Sequence, residues 1–188
     1  MFDRTLFTDS HSTQRSSPVF PLPILDGRAP LLLVFDHTEL GIEVAYERHP
    51  DPGGTLVRSA DRATTRYHIP CVTPVLAVSD GQIVDTVEED GVAGIVVDHG
   101  NRWFTDYIGL SKLTIPPTRR RDPAVHVRAG DVLGYLLPSP SRDGPFYPLL
   151  FELWRLDHGT YHKIDPLRFM RRWRRVEWKH EHRRHHAA

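Results

Sequence analysis

From Thr73 onward the chain is cut into short apolar runs by glycine-bearing turn signals, spaced too closely for a helical domain to form. Residues 73–78 (TPVLAV) end in Ser-Asp-Gly, 82–87 in Glu-Glu-Asp-Gly and 95–98 in His-Gly-Asn, and 104–110 follow directly. Residues 125–137 (VHVRAGDVLGYLL) resume the pattern around Gly130 and Gly134, and upstream 31–35 (LLLVF) and 41–46 (GIEVAY) have strand character. Gly81, Gly100, Gly130 and Gly134 are expected at tight turns. Many short strands at this spacing predict an all-β, mainly antiparallel domain.

The intervals set its limits. Residues 1–17 are polar, rich in Ser and Thr, and unpatterned, which predicts a flexible N-terminal arm. The domain is expected over 18–178, beginning near Val19, with 179–188 as a basic, His-rich tail. Residues 47–67 contain His-Pro-Asp-Pro-Gly-Gly, a surface excursion, and 115–122 and 138–148 are proline-bearing loops. Helical periodicity enters only at the end. Asp165-Pro166 is a helix start, and Phe169, Trp173 and Val176 then fall at i, i+4 and i+7, predicting a C-terminal α-helix from about Pro166 to about Trp178. From Asp165 onward eight Arg or Lys stand against three acids, which reads as a solvated helix face, with an anionic partner as the alternative. His180, His182, His185 and His186 lie in the tail, with no folded surroundings to orient a metal.

Composition excludes several classes. A chain of 188 residues, 39% hydrophobic and 26% charged, suits one domain with a sizeable core. Lys plus Arg equals Asp plus Glu at 24 each, so no global field draws nucleic acid, which is not expected as a partner. The single Cys71, in Pro-Cys-Val, is expected to be a small buried hydrophobe. No apolar run approaches the ~18 residues of a membrane span, and the N-terminus lacks the basic start and apolar stretch of a signal peptide. A cytoplasmic protein, or one assembled into a phage-like or secretion particle, is the expectation.

Four segments, in order, carry a likeness to a known family. Glu39-Leu40-Gly41-Ile42-Glu43-Val44 stands where that family writes His-x-Gly-(Val/Ile)-Asp-Ile, and residues 73–81 (TPVLAVSDG) match its Thr-Pro-Val-x-Ala-x-x-Asp-Gly. Residues 95–111 resemble V-x-x-D-H-G followed by T-x-Y-x-H-L-S. Pro148-Leu149-Leu150-Phe151-Glu152-Leu153 parallels His-Leu-His-Phe-Glu-(Val/Leu), and Lys163-Ile164-Asp165-Pro166 resembles the closing (Val/Ile)-Asp-Pro. From Leu31 to Met170 the chain resembles the lysostaphin-like zinc peptidoglycan endopeptidases, of duplicated hybrid motif fold, which implies an antiparallel β-sheet groove.

The resemblance also implies what has been lost. The family's zinc ligands fall on Glu39, Glu43 and Leu150, and its two catalytic histidines on Gly109 and Pro148. A leucine side chain has no lone pair to donate, and two carboxylates are a poor zinc site. Neither Gly109 nor Pro148 can exchange a proton through a side chain. No metal or other cofactor is therefore expected. If the first motif is misaligned, Arg62 and Arg66 take its place, and arginine is a worse ligand still. The candidate groove comprises Glu39, Glu43, Tyr107, Gly109, Pro148 and Leu150. Tyr107, Phe151 and Trp154 read as groove wall or core. Glu152 is expected to point away from the groove into a structural hydrogen bond. Glu39 and Glu43, at i and i+4 on an extended strand, could form a carboxylate pair. His99 reads as a turn or core-edge residue, His126 as facing opposite to Val125 and Val127, and neither these nor His68 replaces Leu150.

The function expected is that of a catalytically silent peptidoglycan-endopeptidase-like domain, binding cell wall or a protein partner in a regulatory or assembly role. The alternative is an active metallo-hydrolase of cell-wall peptides with a rearranged site built from Glu39, Glu43 and a histidine of the 47–67 insert or a loop.

Overall fold

The computed structural model describes residues 17–33, 41–47, 67–115, 124–138 and 148–179. The strands are β1 (Ile24–Leu25), β2 (Leu31–Leu33), β3 (Ile42–Glu47), β4 (Tyr67–His68), β5 (Thr73–Leu76), β6 (Gly81–Glu89) and β7 (Val92–Asp98). After them come β8 (Trp103–Leu110), β9 (Lys112–Leu113), β10 (Val125–Val127), β11 (Val132–Leu136), β12 (Leu149–Asp157) and β13 (Thr160–Ile164). A short helix α1 (Leu167–Met170) and β14 (Glu177–Trp178) close the chain. Among the described residues no helix is long and apolar enough to cross a membrane.

The architecture is the all-β one that the turn spacing predicts. The main sheet runs in the order β10-β6-β7-β8-β12-β3-β2, with β13 added to β12 and β4 to β3. All of its pairings are antiparallel. A smaller sheet has the order β5-β11-β9, and β1 pairs with β14 in parallel.

Strand alternation sorts the main sheet into two faces. On β7, Ala93, Ile95 and Val97 are buried, while Gly94, Val96 and Asp98 are half-buried. On β12, Leu149, Phe151 and Leu153 are buried, as are Thr105 and Tyr107 on β8 and Ile42 and Val44 on β3. This face meets Phe20, Leu22, Val75, Ala77, Leu133, Leu136 and Met170 in one core. Burying a leucine or phenylalanine there contributes about 1.5–3 kcal/mol each. Tyr107 packs edge-on against Phe151, which packs edge-on against Trp173.

Two glycines expected at turns have another reason. Gly100 and Gly130 have φ of 77° and 94° and do sit in turns, but Gly81 opens β6 and Gly134 lies within β11. A Cβ on Gly81 would meet the Asp98 carbonyl oxygen at 2.7 Å, and one on Gly134 the Lys112 carbonyl oxygen at 2.5 Å. Both positions are small because neighbouring backbone comes close, not because the chain reverses.

The C-terminal helix is far shorter than the predicted 166–178. Asp165 Oδ1 accepts the Leu167 N–H at 2.9 Å, starting the helix as expected, but it ends at Met170. From there the chain is drawn alongside residues 18–24, which lead into β1: Phe20 N–H donates to Arg174 O, Arg174 N–H to Pro18 O and Ile24 N–H to Val176 O. The cause is legible in the residues. Arg171, Arg172, Arg174 and Arg175 would stack like charges at i, i+3 and i+4 on a helix, whereas extended pairing satisfies the backbone and spreads them. Trp173 reaches the core all the same. Cys71 is half-buried at the core margin rather than fully buried, with burial pushing its thiol pKa up. The arm 1–16, most of the 47–67 excursion and the tail beyond Lys179 lie outside the described residues.

Candidate functional site

The second face of the main sheet carries the polar residues. Register places Leu150 between Glu43 on β3 and Ile108 on β8. Two residues along the strands, Glu152 stands opposite Asp106, and Asp106 opposite Val96. Two further on, Trp154 pairs with Phe104 on one side and Lys163 on the other. Cross-strand partners share a face, so these rows lie side by side on one surface.

Glu152 therefore does not point away from the groove, as the sequence reading expects. Residues 150, 152 and 154 share one face by strand parity, and a Cβ on Gly41 would meet both Leu150 Cδ1 at 2.9 Å and Glu152 Oε1 at 3.3 Å. The structural hydrogen bond expected of Glu152 is present: its Oε2 accepts Trp154 Nε1 at 3.1 Å and its Oε1 meets Lys163 Nζ at 2.7 Å. Glu152 is 7% exposed, so Lys163 compensates a charge that water barely reaches. Lys163 Nζ also lies 5.1 Å from the centre of the Trp154 ring.

Asp106, beside this pair, is half-buried. Burial and then the neighbouring Glu152 charge push its carboxyl up to about 6, against the opposing pull of the Tyr107 N–H and Lys163. Neither Asp106 nor Lys163 is among the residues that sequence reasoning singles out. The signal was the alternation Phe104-Asp106-Ile108, which puts a lone carboxylate in an apolar strand opposite Glu152.

Gly109 and Pro148, which the resemblance aligns with catalytic positions, are also brought together. A Cβ on Gly109 would lie 2.7 Å from the Pro148 carbonyl oxygen, and Gly109 has φ of 103°. The register shift between Ala93 and Gly94 skips this residue, since Ile108 pairs with Gly94 and Leu110 with Ala93. Gly109 is thus the extra residue of a bulge, pressed against the chain entering β12. Tyr107, proposed as groove wall or core, belongs to the core: it is fully buried and its hydroxyl accepts the Val78 N–H at 2.9 Å. Phe151 is buried with it, while Trp154 is half-buried on the second face. Glu39, Arg62 and Arg66 lie outside the described residues.

The histidines have structural settings. His99 Nδ1 is 2.9 Å from Asp80 O and its Nε2 is 2.7 Å from Thr105 Oγ1. Since the carbonyl can only accept, Nδ1 donates and Nε2 accepts from the threonine, a neutral tautomer that burial favours by lowering the pKa. His126 is exposed between Val125 and Val127, and His68 sits on β4, paired with Tyr46. Among the described residues no three His, Cys, Asp or Glu side chains gather to hold a metal. Of the positions that the resemblance aligns with zinc ligands, the described ones are Glu43 and Leu150, a carboxylate beside an alkyl group, a pair that does not fit a zinc ion.

The architecture matches solved structures. It aligns over 87% of its length with lytM of Ruminococcus gnavus, a candidate glycyl-glycine endopeptidase, at 15% identity and a TM-score of 0.55. The fold is the lysostaphin-like peptidase fold. The alignment covers 63% of the Ruminococcus chain. Lysostaphin of Staphylococcus simulans aligns at 21% identity over 56% of this chain and 42% of its own, with a TM-score of 0.42. A zinc-containing peptidase of Vibrio cholerae aligns at 13% identity over 79% and 39%, with a TM-score of 0.44. No family model matches the sequence, and no curated protein matches it significantly. On this lysostaphin-like scaffold the second face of the main sheet holds a carboxylate pair, one lysine, an aromatic row and an apolar row.

Proposed function

We propose that this chain is a catalytically silent peptidoglycan-endopeptidase-like domain whose second sheet face serves recognition or assembly. The carrying observation is the closure of backbone over residue 109. With φ at 103° and the Pro148 oxygen 2.7 Å from any Cβ, the position where the family handles a proton has no room for a side chain. Leu150 beside Glu43 supports the same reading, since the ligand row ends in an alkyl group. The described groove positions Glu43, Gly109, Pro148 and Leu150 then serve as a surface rather than a reaction centre.

Elemental analysis of the purified protein and release of soluble fragments from purified cell wall, with and without a chelator, test this reading. No stoichiometric zinc and no release are expected. One tightly held zinc per chain together with chelator-sensitive release would establish instead the active hydrolase with a rearranged site.

A further inference from the structure

The second face of the main sheet, on which Phe104, Asp106, Ile108, Leu150 and Trp154 are half-buried and Glu152 is buried, combines features that a solvated sheet surface does not need. Asp106 and Glu152 are adjacent carboxylates on β8 and β12, and a single ammonium, Lys163, serves Glu152. Among the described residues no Lys, Arg or His nitrogen forms an ion pair with Asp106. Its neighbours worsen the imbalance. On β12 it faces Glu152, on β7 it faces Val96 with Asp98 two residues along, and on β6 Asp85 adds a further negative charge, with Lys163 on β13 the cation that opposes them. A half-buried carboxylate in this field is stabilised by a proton or by an incoming cation.

The rows have a spacing. Leu150 and Ile108 form an apolar pair; Glu152 and Asp106, two residues along each strand, form the acidic pair; Trp154 and Phe104, two further, form an aromatic pair. Successive same-face positions on a strand are about 7 Å apart, which is also the i, i+2 spacing of any extended peptide. Resting on the reading of this face as a binding surface, we propose that it docks an extended segment of a protein partner of pattern apolar-x-Lys-x-apolar. The apolar side chains rest on Leu150–Ile108 and on Trp154–Phe104, and the lysine ammonium seats against Asp106. Lys163, on Glu152 and the Trp154 ring, already demonstrates that an ammonium fits this chemistry.

Docking is linked to protonation, because the ammonium displaces the proton that Asp106 holds at low pH. Affinity therefore rises as pH increases through about 6, and flattens above it.

The test is calorimetric titration of the full chain with a peptide Val-Thr-Lys-Thr-Val, and with its norleucine and glutamate analogues at the lysine, at pH 5 and 7.5. Wild type is expected to prefer the lysine peptide by about tenfold or more at pH 7.5 and less at pH 5. Asp106→Asn, of equal size, removes that preference and its pH dependence, and Ile108→Asn weakens all three peptides alike. Equal affinity for lysine and norleucine peptides, a preference untouched in Asp106→Asn, or binding to purified cell wall alone overturns the proposal. None of these outcomes bears on catalytic silence, which zinc content and cell-wall release decide separately.

Discussion

Gly109 and Pro148 touch through backbone: the space that a Cβ on Gly109 would occupy ends 2.7 Å from the Pro148 carbonyl oxygen. Two positions that the resemblance aligns with catalytic histidines form a bulge and the chain pressed against it. Gly109→Ala is expected to cost about 2–4 kcal/mol, combining a strained positive φ with the clash, as read from urea denaturation. Gly109→His introduces the family's residue and costs at least as much. It restores no cell-wall cleavage, even combined with Pro148→His, because Leu150 still offers no metal donor and a side chain at 109 meets the Pro148 backbone.

Asp106 supplies a pH signature. Its carboxyl is raised to about 6 in the folded chain, against about 3.9 when unfolded. Between those values the folded state holds the extra proton, so this group's contribution to stability falls as pH rises from about 4 to about 6 and stays low above. Asp106→Asn removes that loss. Relative to wild type it gains about 1–2 kcal/mol at pH 7.5, discounted for the residue's partial exposure, and little at pH 4. Denaturation curves of both proteins at the two pH values decide it; an equal difference at both would assign the effect to packing rather than charge.

Strand existence was legible because turn residues sit where strands end: Asp90-Gly91 lies between the hairpin partners β6 and β7, and Gly100 between β7 and β8. The likeness in four segments gave the fold for the same reason, since those motifs are mostly turns and strand alternations. The C-terminal run was misleading because period 3.6 was real at Phe169 and Trp173 while the competing partner, the segment at 18–25, lay about 150 residues away in sequence. Glu152 was misplaced by parity alone, and Asp106, marked in the sequence by its place between Phe104 and Ile108, acquired its neighbour Glu152 only when β8 and β12 were set in register. Cross-strand neighbours are facts of pairing, which a single strand's sequence does not contain.

Tyr107 holds the main sheet to the strand region of Val78 through one buried hydrogen bond of 2.9 Å. Burial raises its pKa well above the usual tyrosine value, and the hydroxyl stays protonated throughout the physiological range. Tyr107→Phe keeps the ring on Phe151 but leaves the Val78 N–H without an acceptor, and should cost about 1–3 kcal/mol. A melt unchanged within error would mean that water reaches that amide.

Trp173 gives the extended C-terminal segment its anchor. It is 8% exposed and stands at 89° to the Phe151 ring with centroids 5.8 Å apart. Trp173→Ala is expected to cost about 3–5 kcal/mol, and to expose the amides of 18–25 to faster hydrogen exchange, because β1 and β14 lose their fixed partner together. Retained protection at Phe20 and Ile24 in that variant would separate the strand pairing from the core contact.

Lys163 is the group on which the second face's charge depends. Its ammonium meets Glu152 Oε1 at 2.7 Å, with side-chain exposures of 25% and 10%, so the pair is screened far less than a surface bridge. Lys163→Met leaves Glu152 buried without its cation and removes a charge that holds the Asp106 pKa down. Two effects are expected together: a loss of about 2–4 kcal/mol at pH 7, and a further rise of the Asp106 titration midpoint, measured by carboxyl NMR. Glu152→Gln in the same background recovers most of the stability and lowers the Asp106 midpoint again, since both charges that raise and lower it have been withdrawn in turn. If Lys163→Met moves stability without moving the Asp106 midpoint, the lysine charge does not reach Asp106, and its part in setting that carboxyl is removed.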